Sequence, residues 1–266
     1  MNIVVCIKQV PDTTEIKIDP VTNTLIRAGV PSIVNPFDAY ALEIAARIKD
    51  VTPETKIILL SMGPKQAEAA LKECLAVGGD KAYLVSDRAF GGADTLATSY
   101  TLKTAIDKIE TLEGKFDIIF CGKQAIDGDT AQVGPEIAEH MDCPQITYAI
   151  EAKVENDEVL VKRETGEGYE VLAAKMPCVI TVTKPSFSPR YPTIKSKMAA
   201  NRATINTLTA ADIPVDAERI GLKGSPTKIA KASDKVAKGA GEKVTPDSPD
   251  EAVSYIMSKL KEKHVI

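Results

Sequence analysis

A chain of 266 residues with 44% hydrophobic content can build one large domain, or one domain and a long appendage. No apolar run reaches the length of a membrane span, and a formal charge of −4 gives no attraction for nucleic acid or an anionic membrane. The five cysteines, Cys6, Cys74, Cys121, Cys143 and Cys178, are odd in number and widely spaced, which fits reduced thiols in a cytoplasmic protein better than disulfides or a zinc site.

Asn2 to Lys8 alternates too little for a surface strand and reads as a central one, with an apolar core too short for a signal peptide. Pro11 to Ile33 is polar and turn-rich, and a hairpin is expected around Asp19-Pro20 and Thr22-Asn23. Asn35-Pro36-Phe37-Asp38 opens a helix whose apolar stripe, Ala41, Ile44, Ala45 and Ile48, falls at i, i+3, i+4, i+7. The proline holds Asn35 in extended geometry, which turns its amide outward from the helix start. Lys56 to Ser61 is a second core strand. The helix after it places Ala67, Ala70, Leu71 and Cys74 on one face before Gly78-Gly79 stops it. Lys81 to Val85 is a third strand, and Gly91-Gly92-Ala93-Asp94-Thr95 leads into a long helix with Leu102, Ala105, Ile106 and Ile109 inward. Strands alternating with helices at this spacing imply parallel crossovers and a sheet covered on both faces.

Phe116 to Cys121 is the next such strand. It feeds the most informative stretch of the chain, GKQAIDGDTAQVGP, from Gly122 to Pro135. Asp129 or Thr130 is the expected N-cap of the following helix. Three glycines and the neutral side chains of Thr130 and Gln132 make a place where backbone N–H groups hold phosphate, or else an ordinary loop between strand and helix. Neither G-x-G-x-x-G nor G-x-x-x-x-G-K-[ST] is present. Cys6 to Lys8, Asn35 to Asp38, Ser61 to Gly63 and the Gly122 loop all follow strands or open helices, so they are expected to face one crevice. There is no catalytic triad or G-x-S-x-G, and the two histidines, His140 and His264, lack metal-ligand spacing.

Beyond Cys143 the pattern changes to short strands, Ile146 to Ile150, Val159 to Arg163 and Tyr169 to Ala174, an antiparallel addition, with a further apolar strand at Val179 to Val182. Ser186 to Met198, SFSPRYPTIKSKM, is expected as an exposed loop, either a structural excursion or a docking surface. Asn201 to Ala240 has no strong period, carries Lys223, Lys228, Lys231, Lys235 and Lys238, cannot bury a core by itself, and reads as a tail or an arm laid over another chain. The end is a well-marked helix with Ser248 as N-cap, Pro249 at N1 and Glu251 at N3, and an apolar face of Val253, Ile256, Met257 and Leu260.

Taken together, VVCIKQVPD, NPFD, SMGP, GKQAIDGDTAQVG, VKRETGEGYEVLAAKMPCVITV and SPRYPTIKSKM resemble the beta subunit of electron-transfer flavoprotein over nearly the whole chain. The resemblance implies an α/β fold, a parallel-sheet, adenine-nucleotide-binding (Rossmann-like) domain with antiparallel additions and a C-terminal arm ending in a helix. It divides the chain into a nucleotide- or flavin-binding domain over 1–185, a docking loop over 186–200 and an arm over 201–266 that wraps an alpha subunit. The implied cofactor contacts are Cys6, Asn35, Pro36, Phe37, Asp38, Met62, Thr95, Gly122, Lys123, Gln124, Ala125, Ile126, Asp127, Gly128, Asp129, Thr130, Ala131, Gln132 and Val133. The implied docking residues are Tyr191, Thr193, Ile194 and Lys195, with Ile194 as the apolar anchor.

In this family the crevice holds either AMP or FAD. The small, little-charged loop from Gly128 to Pro135, with Gly91 to Thr95 and Leu222 to Thr227, resembles the electron-bifurcating branch and implies FAD, although Asp127 and Asp129 count against a pyrophosphate. That branch implies NADH as donor, and electrons parted between ferredoxin or flavodoxin and, through an alpha-subunit FAD, an acyl-CoA dehydrogenase. No side chain is required as acid, base, nucleophile or metal ligand. The alternatives are a non-bifurcating carrier with structural AMP, an ATP-dependent ligase or adenylyltransferase of related fold, and a plain nucleotide-binding module. Lys8 to Asp12 supplies no phosphate-activating loop for the second, and the third lacks so long an arm.

Overall fold

Apolar residues run without alternation through Ile3–Val5, Ile57–Leu60 and Ile118–Phe120, and a computed structural model shows why: these strands are covered on both faces. The structure describes residues 1–12, 31–227, 230 and 239–266. The hairpin expected around Asp19-Pro20 and Thr22-Asn23, and Lys228, Lys231, Lys235 and Lys238, lie outside the described residues.

In chain order the elements are β1 (Asn2–Cys6), β2 (Gln9–Pro11), β3 (Ser32–Val34), α1 (Pro36–Val51), β4 (Lys56–Met62), α2 (Glu68–Leu75), β5 (Lys81–Val85), α3 (Thr95–Glu113), β6 (Ile118–Gly122) and α4 (Val133–Met141). There follow β7 (Gln145–Glu155), β8 (Glu158–Thr165), β9 (Gly168–Lys175), β10 (Cys178–Val182), α5 (Ile194–Arg202), β11 (Asn206–Leu208) and α6 (Pro249–Glu262). Among the described residues nine strands form one sheet in the order β11-β5-β4-β1-β6-β10-β7-β8-β9. All neighbours from β11 to β7 are parallel, while β8 and β9 continue the sheet as an antiparallel meander. A two-residue turn, Asn156 and Asp157, both at positive φ, joins β7 to β8, the geometry whose twist matches that of the strands it connects.

Alternate residues of each parallel strand feed two cores. Ile3, Val5, Ile57, Leu59 and Phe120 meet α1 and α2. Val4, Ile58, Leu60 and Ile119 meet α3 and α4 through Leu102, Ile106, Ile109 and Ile137. From β1 the chain winds out through β4 to β5, then returns by α3 to β6 on the other side of β1. That reversal puts a topological switch between β1 and β6, where ligands of open parallel sheets collect.

Three expectations need correction. The helix after the Gly122 loop begins at Val133 with Gln132 as its cap, not at Asp129 or Thr130, because Asp129 and Ala131 take φ of 51° and 54°, which a right-handed helix cannot absorb. The segment Ser186–Met198 is not loop throughout: Thr193 accepts from Ser196 N at 3.0 Å, Ser196 reciprocates, and this capping box starts α5 at Ile194. The stretch after Asn201 does bury core. β11 adds a parallel edge to β5, and Leu208, Ile213 and Ile220 close the α3 face, so residues 206–227 lie on the α/β domain rather than trailing from it. The final helix forms where its caps place it, with Ser248 accepting from Glu251 N, and none of its residues is buried among the described residues.

Candidate functional site

The carboxyl ends of β4, β1 and β6 lie side by side, and α1 is the element that locks their loops together. Asn35, extended before Pro36, uses its side chain twice on the Gly122 loop. Its amide donates to Gln124 O at 2.8 Å, and its oxygen accepts from Ile126 N at 3.2 Å. Its own N–H donates to Lys8 O at 2.9 Å. One helical turn later the buried Asp38 accepts from Lys8 N at 2.7 Å and Gly122 N at 3.1 Å. Burial pushes the Asp38 carboxyl up to about 7, against the opposing pull of Asn35 and those two N–H groups. Lys8, Asn35, Asp38 and Gly122 are thus one hydrogen-bonded unit at the switch between β1 and β6. Gly122 is glycine for a steric reason: a Cβ there would stand 2.3 Å from Asp38 Oδ1.

The loop beyond is shaped from within. Gly128 N and Asp129 N both donate to Ala125 O, and positive φ at Asp129 and again at Ala131 makes the backbone alternate in handedness up to Gln132. Such alternation gathers successive N–H groups into a concavity that suits an anion, and strained non-glycine residues of this kind cluster at ligand clamps. Gly128 has open space where a side chain would be, and Thr130 and Gln132 are exposed. Both acidic side chains of the loop are spoken for: Asp127 pairs with Lys8 Nζ at 2.6 Å, and Asp129 accepts from Gln124 Nε2 at 2.6 Å. Lys123 lies over the Tyr148 ring, 5.1 Å from its centre.

The other residues read from sequence fall around the same crevice. Cys6 and Cys121 end adjacent strands. The hydrogen bond that the Cys121 thiol donates to Cys6, reinforced by burial, pushes that thiol well above its ordinary pKa and keeps it protonated. Phe37 packs against Gly122, and Met62 borders a small hollow with Lys8 to Pro11 and Gly63. At the far wall the Thr95 hydroxyl lies 3.2 Å from Gln132 Oε1 and 3.0 Å from Glu136 Oε1. Sequence reasoning missed Glu136. It sits three residues past Val133, a place open to any helix-starting glutamate, and only the packing of α3 on α4 gives it a partner.

The segments Gly91–Thr95 and Leu222–Thr227 are in contact. Asp94 N donates to Ser225 Oγ at 2.8 Å, Thr227 N donates to Asp94 Oδ2 at 3.0 Å, and Leu222 N donates to Gly91 O at 3.0 Å. The other oxygen of Asp94 caps α3 by accepting from Ala97 N at 3.0 Å.

Tyr191, Thr193, Ile194 and Lys195 are away from the crevice, at the start of α5. Tyr191 is 92% exposed and Ile194 83%, with Met198 one turn on along the same helix face. Thr193 is committed to the cap, and Lys195 faces solvent.

An electron transfer flavoprotein domain is matched over residues 22–213. Electron transfer flavoprotein subunit beta of Megasphaera elsdenii is 53% identical over 100% of both chains. The chain belongs to the electron transfer flavoprotein family, among its beta subunits. The subunit of the same name from Clostridium acetobutylicum is 52% identical over 100% of both chains, and the caffeyl-CoA reductase-Etf complex subunit CarD of Acetobacterium woodii is 49% identical, again over 100% of each. Membership of an electron transfer flavoprotein family agrees with a site that offers backbone donors and small side chains. Among the described residues no helix is long and apolar enough to cross a membrane.

Proposed function

We propose that this chain is the beta subunit of a heterodimeric electron transfer flavoprotein, holds FAD in the crevice over β4, β1 and β6, and serves an electron-bifurcating complex. The observation that carries the reading is that both acidic side chains of the loop are engaged. Asp127 is ion-paired with Lys8 and Asp129 accepts from the Gln124 amide, so backbone N–H groups and small side chains remain to face a pyrophosphate. The loop from Gly122 to Val133 and the N-terminus of α3 would hold the dinucleotide, with Thr95, Thr130 and Gln132 offering hydroxyl and amide groups. Bound FAD supplies the redox chemistry, a hydride in from NADH and electrons out to ferredoxin or flavodoxin and, through an alpha-subunit FAD, to an acyl-CoA dehydrogenase. The part played by this chain is to bind, orient and enclose. Resemblance over full length to a subunit named for a caffeyl-CoA reductase-Etf complex supports the reading.

Tyr191 and Ile194, exposed at the start of α5, dock the dehydrogenase, with Ile194 entering an apolar pocket of the partner and Lys195 at the rim. The C-terminal helix, whose Val253, Ile256 and Met257 are exposed here, lies against the alpha subunit. Denaturing the purified heterodimer and counting the released nucleotides tests the proposal. Two FAD and no AMP per heterodimer are expected. One FAD and one AMP would make the chain a non-bifurcating carrier subunit and overturn it.

A further inference from the structure

The docking segment is held to the domain by one cluster of charges on α1. Glu43, whose side chain is only 5% exposed, accepts from Arg190 N at 3.0 Å and Arg190 Nε at 2.9 Å through one oxygen. Its other oxygen accepts from Arg47 Nε at 2.9 Å. The outer edge of the Arg190 guanidinium donates to both oxygens of Asp50, at 3.2 and 2.7 Å. Arg47 in turn lies over the Phe187 ring, 3.7 Å from its centre. Burial alone would raise the Glu43 carboxyl, yet the hydrogen bonds from Arg190 and Arg47 hold it below the ordinary glutamate value, so it stays charged. Arg190 is the residue before Tyr191, and every bond its planar fork makes fixes the direction in which Tyr191 and Ile194 leave the domain.

Close packing does not share this task. Beneath the segment, between α1, α2 and α5, is a cavity of about 570 Å³ walled by Leu42, Ala69, Val77 and Pro192. Ala200 is the one buried residue of α5, and Lys72 Nζ donates to Asn201 O at 3.1 Å at the same end. The cavity reaches along α5 past Lys197 to Asn201, so the helix is held over a hollow by the Ala200 and Lys72 contacts at one end and by the ion cluster at Arg190 before the other. The same helix that carries Glu43 also carries Asn35 and Asp38 at its start, so one rigid element sets both the crevice loop and the docking segment. From Asp38 to Glu43 is about 7.5 Å along the axis at about 1.5 Å per residue.

We propose that Glu43 is a positioning residue for partner docking: acting through Arg190, it fixes the exposed Tyr191–Ile194 pair relative to the flavin crevice. The inference rests on the reading that this pair docks an acyl-CoA dehydrogenase. The experiment compares Glu43→Gln, Arg190→Lys and Asp50→Asn with Ile194→Ala in the intact heterodimer. The heterodimer is titrated as electron carrier against an acyl-CoA dehydrogenase, and flavin reduction by NADH alone is measured in parallel.

Glu43→Gln is expected to raise the KM for the heterodimer about tenfold, with kcat and NADH-driven flavin reduction within twofold of the parent. Asp50→Asn, which removes only the outer, exposed half of the cluster, is expected to raise KM about threefold and serves if Glu43→Gln does not fold. Because Glu43 acts through Arg190, Glu43→Gln combined with Arg190→Lys should be no worse than the more severe single variant. Faster hydrogen exchange over residues 187–198, with the Gly122 loop unchanged, is the accompanying signature. If Ile194→Ala raises KM while Glu43→Gln and Asp50→Asn do not, positioning by Glu43 is overturned and the docking reading stands. If Ile194→Ala leaves KM unchanged, the docking reading itself fails.

Discussion

Replacing Gly122 by alanine tests whether the crevice is held as described. The added Cβ would stand 2.3 Å from Asp38 Oδ1, 2.7 Å from Phe37 Cβ and 2.8 Å from the Phe37 carbonyl carbon. None of these atoms is the free end of a flexible side chain. Asp38 is tied to Lys8 N and Gly122 N, and Phe37 belongs to the first turn of α1. Either β6 or the start of α1 must give way, at about 1–3 kcal/mol for overpacking of this kind. The Gly122 N–H to Asp38 bond is stretched as well, and with the carboxyl at about 7 and only partly charged it contributes about 1 kcal/mol. A loss of about 3 kcal/mol follows, which lowers the melting temperature by about 9 °C at about 2–4 °C per kcal/mol. Because Asn35 moves with α1, its grip on Gln124 and Ile126 loosens too, and nucleotide should be lost from the crevice. Thermal melting of the heterodimer and a count of bound nucleotide per heterodimer read both effects. A variant that melts within 2 °C of the parent and keeps its full nucleotide complement would refute the claim that this contact braces the crevice.

Two further outcomes follow from charges elsewhere. At the opposite end of the sheet Glu113 gathers Lys56, Lys81 Nζ at 2.8 Å and the Tyr83 hydroxyl at 2.5 Å. Although burial opposes it, these partners pull its pKa down to about 2. A carboxyl held below its unfolded value adds stability that is complete above about pH 4.5 and is lost as pH falls toward about 2. Glu113→Gln should therefore lower stability at pH 7 by about 2 kcal/mol, reduced from the full linkage value because both lysines are partly exposed. It should also flatten the acid limb of stability measured by urea unfolding; an unchanged acid limb would count against this assignment. Asp94→Ala removes both the cap on α3 and the tie to Thr227, at about 2 kcal/mol together. Faster hydrogen exchange at Ala97 and Thr227 is the expected reading, and protection equal to the parent at both would show the tie to be incidental.

What the sequence made legible were features whose cause is local. Unbroken apolar runs marked β1, β4 and β6 because a strand covered on both faces needs apolar residues at every position. The stripe from Ala41 to Ile48 marked α1 because helix spacing puts those residues on one side. Even the outward turn of Asn35 follows from the proline after it. What escaped were features whose cause lies far along the chain. The base of the Gly122 loop is gripped by Asn35, some 90 residues earlier, and nothing local in the sequence announces that tie. β11 is three residues long and exists because β5 has an open edge. Glu43 and Arg190 are 147 residues apart, and in the sequence each is one charged residue among many. α5 is the exception, since Thr193 and Ser196 stand at capping-box spacing, and a polar helix of nine residues simply lacks the stripe by which helices are recognised.

The place of β10 in the sheet has a consequence for how the chain is made. It lies between β6 and β7 and pairs with both, yet it leaves the ribosome after β7, β8 and β9. While synthesis runs from Gln145 to Pro177, the growing polypeptide therefore carries two unfilled edges of an unfinished sheet, and unpaired strand edges are what aggregating chains exploit. Cys178 to Val182, five residues buried on both sides, act as the closing stave.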